Sequence, residues 1–111
     1  MISIDDFKKL EIKIGEIKSA EKVADADKLL KLSVDMGEES PRQIISGIAV
    51  FFPDPSALVG KKCAFVANLE PRTIRGLESQ GMILAVSGDS GDGFFSLLET
   101  SDNVTLGSVV K

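Results

Sequence analysis

Five cations are spaced so that one folded surface can collect them: Lys28, Lys31, Arg42, Arg72 and Arg75. Arginine offers phosphate oxygens a planar fork of donors and lysine a compact point charge, so the set suits a polyanion. Lys28 and Lys31 flank the start of one alternating segment, and Arg42 opens the next after a turn. If those segments pair, Lys31 and Arg42 can share the wet face of the hairpin. The basic loop Arg72-Thr73-Ile74-Arg75-Gly76 can then border the same groove. The plainer reading of the same residues is solvated surface charge.

Other chemistries are poorly supplied. Histidine is absent, and with it the commonest general base and metal ligand. One cysteine, Cys63, makes neither an internal disulfide nor a zinc site, and its place in the apolar run KKCAFVANL reads as a buried, inert thiol. The acidic pairs Asp5-Asp6, Asp25/Asp27 and Glu38-Glu39 stand beside turn or cap residues, where solvated carboxylates are usual. Gly88-Asp89-Ser90-Gly91-Asp92-Gly93 lacks the lysine of a phosphate loop and the ligands of a calcium loop, and reads as a hairpin turn. No enzyme activity, metal or cofactor is expected.

The chain must position its cations with one modest core. At 111 residues and 43% apolar content it is expected to be a single domain over 1–111. No apolar run nears the roughly 20 residues that span a bilayer. MISIDDFKK has neither the basic start nor the apolar stretch of a signal peptide, so a reducing cytoplasm is expected. The net charge of −4 argues against nucleic acid when taken alone. Its distribution argues otherwise: Lys61, Lys62, Arg72 and Arg75 against Glu70 give +3, while residues 89–111 give −3. There is no Trp or Tyr, and most of the six Phe are needed for a core, leaving Phe51 or Phe52 as an exposed platform. Single-strand binders depend on aromatic stacking, so recognition by backbone geometry, as on a folded RNA, fits better.

Short strands dominate the pattern. Ser3 or Asp5 can cap a helix to about Leu10. From Glu11 to Lys18 the apolar positions Ile12, Ile14 and Ile17 break step, which predicts a bulge beside Gly15. Leu30, Leu32, Val34 and Met36 alternate with Lys31, Ser33 and Asp35, and residues 37–41 turn into a return strand over 42–48. Asp54 and Pro55 open a short helix that Gly60 ends. Residues 63–69, 82–86 and 94–98 read as strands, and 104–110 as a strand or extended tail. Strands interrupted by one small helix match the order of a five-stranded Greek-key oligonucleotide-binding (OB) barrel. An SH3-like barrel or a small sandwich fits the same pattern.

Five ordered blocks carry a resemblance: KLLKL (28–32), RQIISGIA (42–49), LVGKK (58–62), ANLEPR (67–72) and ESQGMIL (78–84). Over about residues 4–110 the chain resembles the tRNA-binding domain of methionyl-tRNA synthetases, found at their C-terminus or as a β subunit, and of free-standing tRNA-binding proteins. The resemblance implies an OB fold, a homodimer, tRNA as partner, and attachment to a synthetase catalytic subunit or an independent life. It implies a surface of Lys31, Arg42, Asn68, Ser79 and Met82, with Lys28, Arg72, Arg75 and Gln80 around it. Asn68, Ser79 and Gln80 also fit a structural role in turns, and Met82 a place in the core. Dimer contacts are expected from the N-terminal segment and the C-terminal half, including Val104, Leu106, Val109 and Val110. A related branch with the same barrel resembles a peptide-binding export chaperone, the alternative reading. The acidic net charge departs from basic relatives and bears on affinity.

Overall fold

One long strand organises the sheet. In the computed structural model, which describes residues 1–88 and 93–111, β1 (Ile12–Val23) has two successive partners. Its first half pairs antiparallel with β4 (Lys62–Val66), in register from Ile12↔Val66 to Glu16↔Lys62. From Glu16 onward it also pairs with β2 (Ala26–Asp35). β2 carries β3 (Arg42–Ser46) on its other edge, and β4 carries β7 (Met82–Ile83). The antiparallel order is β3-β2-β1-β4-β7.

Two small hairpins are added: β5 (Arg72–Ile74) with β6 (Leu77–Ser79), and β8 (Ala85–Ser87) with β9 (Phe95–Leu97). The C-terminal segment lies along the free edge of β1's first half. There Lys13 bridges Val109, and the Val110 N–H donates to the Ile12 carbonyl at 2.7 Å. No ladder joins the edge strands β3 and β7 among the described residues. Instead the Gln80 N–H donates to the Gln43 carbonyl at 2.8 Å, tying the turn before β7 to the edge of β3.

The alternation of β2 holds: Leu30, Leu32, Val34 and Met36 are buried, while Lys31, Ser33 and Asp35 stay partly exposed. Ser3 caps α1 (Ile4–Phe7) with a reciprocal Asp6 bond, though the helix stops well short of Leu10. Asp54 accepts from the Ser56 N–H and starts a 3-10 turn, Pro55–Leu58, in place of an α-helix. The segment Arg72–Gly76, expected as an irregular loop, is the first half of the β5–β6 hairpin. The centre of the expected Gly88–Gly93 turn, residues 89–92, lies outside the described residues.

The bulge falls at Lys18, between Ile17 and Ser19, and not beside Gly15. Ile14 and Ile17 break step because they face opposite sides. Gly15 and Ile17 point to the core with Phe65 and Cys63, whereas Ile14 shares the other face with its partner Ala64. Glycine is required at 15 because an added Cβ would stand 2.6 Å from Val34 Cγ1 and 3.2 Å from Phe65 Cε1. We expect Gly15→Ala to destabilise the fold by about 1–3 kcal/mol, as overpacking does. An unchanged urea midpoint would count against this packing.

Candidate nucleic-acid interface

The register of β1, β2 and β3 sorts their polar side chains by face. Directly opposed residues share a face, so Glu21, Lys31 and Ile45 lie together, as do Ser19, Ser33 and Gln43. Lys31 Nζ meets Glu21 Oε1 at 2.7 Å, and both side chains are well exposed. Such a surface pair is worth about 0–1 kcal/mol and exchanges readily for another anion.

Arg42 is elsewhere. It pairs with Val34, so its register puts it on the core-facing side and not on the face of Lys31, although both residues line one cleft with Gln43 and Gln80. Its Nε and Nη2 donate to the two carboxylate oxygens of Glu38, each at 2.8 Å. Nη1 donates to the carbonyls of Ala67 and Gln80, the latter at 3.2 Å. These bonds tie together the turn after β2, the end of β4 and the turn before β7. The guanidinium's hydrogen bond holds the Glu38 carboxyl below its ordinary value of 4.5, against the opposing effect of burial.

Three more of the expected residues are engaged in the same way. Asn68 Nδ2 donates to the Lys9 carbonyl at 2.7 Å, and its Oδ1 accepts the Glu11 N–H at 2.8 Å. Ser79, 5% exposed, accepts the Ile45 N–H and donates to the Gly81 carbonyl. Gln80 Oε1 accepts the Gln43 N–H at 2.9 Å. Together Ser79 and Gln80 fasten the β5–β6 hairpin to the free edge of β3, beside buried Ile45. Met82 is 46% exposed and borders a hollow with Ile45, Leu69, Arg72 and Ile74.

Four of the cations without a carboxylate partner lie on two neighbouring hairpins, whereas Lys8 and Lys111 stand apart beside the N-terminal helix. Among the described residues Lys22, Lys28, Arg72 and Arg75 form no ion pair. Arg75 lines two adjoining clefts, one shared with Lys22 and Lys31 and the other with Lys28. Lys22 was not singled out from the sequence; its position just before the β1–β2 turn, opposite Lys28's end of the strand, was the available signal. Lys61 and Lys62 do not join this group. Lys61 pairs with Glu99 at 3.3 Å, and Lys62 Nζ donates to the carbonyls of Asp102 and Val104. The basic segment is therefore divided, half of it clamping the acidic C-terminal one.

Catalytic candidates are not assembled. Burial pushes the Cys63 thiol up to about 11, with the Glu99 carboxylate adding to the effect. Among the described residues no three His, Cys, Asp or Glu side chains gather as a metal site. No helix there is long and apolar enough to cross a membrane. Of the aromatic rings, Phe51 stacks on Phe95 at 4.0 Å between centroids and Phe52 meets Phe95 edge-on. Phe94, expected in the core, is exposed along with Phe51.

The fold is mostly β, and the unpaired cations on its two neighbouring hairpins are of a kind that suits a polyanion. Residues 12–109 match the family described as "Putative tRNA binding domain", and the chain belongs to that family. It is 50% identical over 107 residues to a methionine–tRNA ligase of Enterococcus faecalis, covering 96% of this chain and 16% of the ligase. The chain thus spans about one sixth of the curated relatives it matches. The crystal structure of a MetRS-related protein from Pyrococcus horikoshii superposes with a TM-score of 0.89 at 40% identity, covering 100% and 98% of the two chains. That of the chaperone CsaA from Bacillus anthracis gives 0.86 at 25% identity, covering 100% and 99%.

The Arg42 knot makes a pH prediction. A carboxyl lowered in the folded state contributes stability above 4.5 that disappears as pH falls through its folded value. Glu38→Gln should therefore lower stability near neutrality and flatten the acid limb of a melting-temperature profile. Arg42→Ala should cost at least about 1.5–3 kcal/mol, the range for hydrogen bonds to charged groups.

Proposed function

We propose that this chain is a non-catalytic tRNA-binding module with an OB-type barrel, gripping folded tRNA by shape and backbone. The observation that carries the reading is the collection of Lys22, Lys28 and Arg75, without carboxylate partners, at the tips of the β1–β2 and β5–β6 hairpins, with Arg72 at the base of the second. In OB folds the first–second and fourth–fifth strand loops border the oligonucleotide face. Lys31 joins once RNA phosphate displaces Glu21, and Met82 supplies an apolar contact beside them. Arg42, Asn68, Ser79 and Gln80 hold that surface in shape. The module has no active site of its own and raises the local concentration of cytoplasmic tRNA for a methionine–tRNA ligase, as a part of it or beside it.

The module acts as a homodimer. Ile4, Leu10, Val109 and Val110 are exposed and line one hollow of about 240 Å³ with Phe7, between the N-terminal helix and the C-terminal segment. Val104 and Leu106 are half-buried against their own chain and contribute less. Two sites engaging one RNA gain through effective concentration, which offsets the acidic net charge. The mass of two chains in sedimentation at micromolar protein is expected; a single-chain mass removes the dimer.

Affinity measured against salt tests the binding reading. Folded tRNA should bind more tightly than an unstructured RNA of equal length or an unfolded peptide. The log–log slope should be about −0.7 to −0.9 per phosphate neutralised. Lys28→Ala and Arg75→Ala should each weaken all tRNAs alike and flatten the slope by about one. Equal binding of the two RNAs would point to generic strand binding, and preference for the peptide would favour the chaperone-like alternative suggested by the CsaA structure.

A further inference from the structure

The cleft between the two hairpin tips holds more than cations. Its volume is about 510 Å³, within the range of small-ligand pockets, roughly 300–1,000 Å³. Leu29 and Ile74, both half-buried, supply an apolar floor. Lys28 and Arg75 stand on its rim, and so do Asp25 and Asp27, none of the four in an ion pair among the described residues. Asp25 and Arg75 are also the chain's two non-glycine residues with left-handed backbone among those described, at φ 60° and 53°.

Carboxylates on a phosphate-binding surface are costly unless they meet a donor. An ionised Asp only accepts hydrogen bonds, and phosphate oxygens donate none. In RNA the donors are base N–H groups and the 2′-hydroxyl. Guanine presents two adjacent N–H donors on its Watson–Crick edge, spaced to meet both oxygens of one carboxylate. A flat base on the Leu29–Ile74 floor brings its own phosphate within reach of Lys28 and Arg75. We propose that this cleft takes one unstacked guanine nucleotide, its base edge read by Asp25 and Asp27 and its phosphate by Lys28 and Arg75. The proposal rests on the tRNA-binding reading and adds a base preference to it.

The sign of one measurement decides. Asp25→Asn together with Asp27→Asn removes two negative charges while keeping side-chain size, and Asn tolerates the left-handed backbone at 25. If the carboxylates are bystanders, losing their repulsion tightens tRNA binding. If they read guanine, affinity falls about 10-fold with an unchanged salt slope. Equal or tighter binding by a variant that melts like the wild type overturns the proposal.

A second measurement is independent of tRNA. On titrating the labelled full chain, GMP and dGMP should shift the amides of residues 25–28 and 75 alike, with IMP and AMP doing so several-fold more weakly. Equal shifts from all four nucleotides would reduce the cleft to a phosphate site. A response to GMP but not dGMP would assign the carboxylates to the 2′-hydroxyl instead. Failure of the wild type to prefer folded tRNA sinks the tRNA reading while the nucleotide titration still decides the cleft.

Discussion

Arg42 and the groups it satisfies tie the turn after β2 to the β4–β7 end of the sheet, two places that no strand ladder joins. Glu38 follows β2, Ala67 ends β4, and Gln80 precedes β7. These points surround one end of the sheet, where β3 and β7 come near each other without pairing. The knot keeps the Gln80 turn against Gln43, and Ser79 against Ile45, so the β5–β6 hairpin is fixed to the edge of β3. Arg72 and Arg75 ride on that hairpin. Where these cations stand relative to Lys28 thus depends on buried and half-buried polar bonds a strand away.

The same dependence explains how an acidic chain can present a basic surface. Six ion pairs among the described residues neutralise cations distributed over most of the molecule, from Lys9 to Lys61. The hairpin tips escape because the nearby carboxylates Asp25 and Asp27 do not close on Lys28 or Arg75. Cations and acids are therefore interleaved at the surface and not segregated by side. That arrangement gives a weaker general pull on phosphate than a uniformly basic patch and more discrimination between groups that accept and groups that donate.

Much of this was legible in the residues, and what was not has specific causes. The period-2 pattern of β2, the Ser3 and Asp54 caps and the burial of Cys63 are set by local chemistry, and they stand as expected. Arg42 was placed on the wrong face because hairpin register depends on the length of the intervening turn, which a pattern of polar and apolar residues leaves open. Arg72–Gly76 read as a loop since three-residue strands are too short to show alternation. Lys61 and Lys62 were counted with the basic group because their partners, Glu99 and the carbonyls beyond it, lie about forty residues away. The roles of Asn68, Ser79 and Gln80 as fasteners rest on equally distant backbone.

The strand that organises the sheet is completed by residues from opposite ends of the chain. Lys13 faces Val109 across a bridge that spans nearly the whole sequence. Closing so long a loop is slow, and no local pairing substitutes for it. One edge of β1's first half is therefore covered only when two segments nearly a hundred residues apart meet, so the slowest contact of the sheet is also the one that seals Ile12 and Ile14.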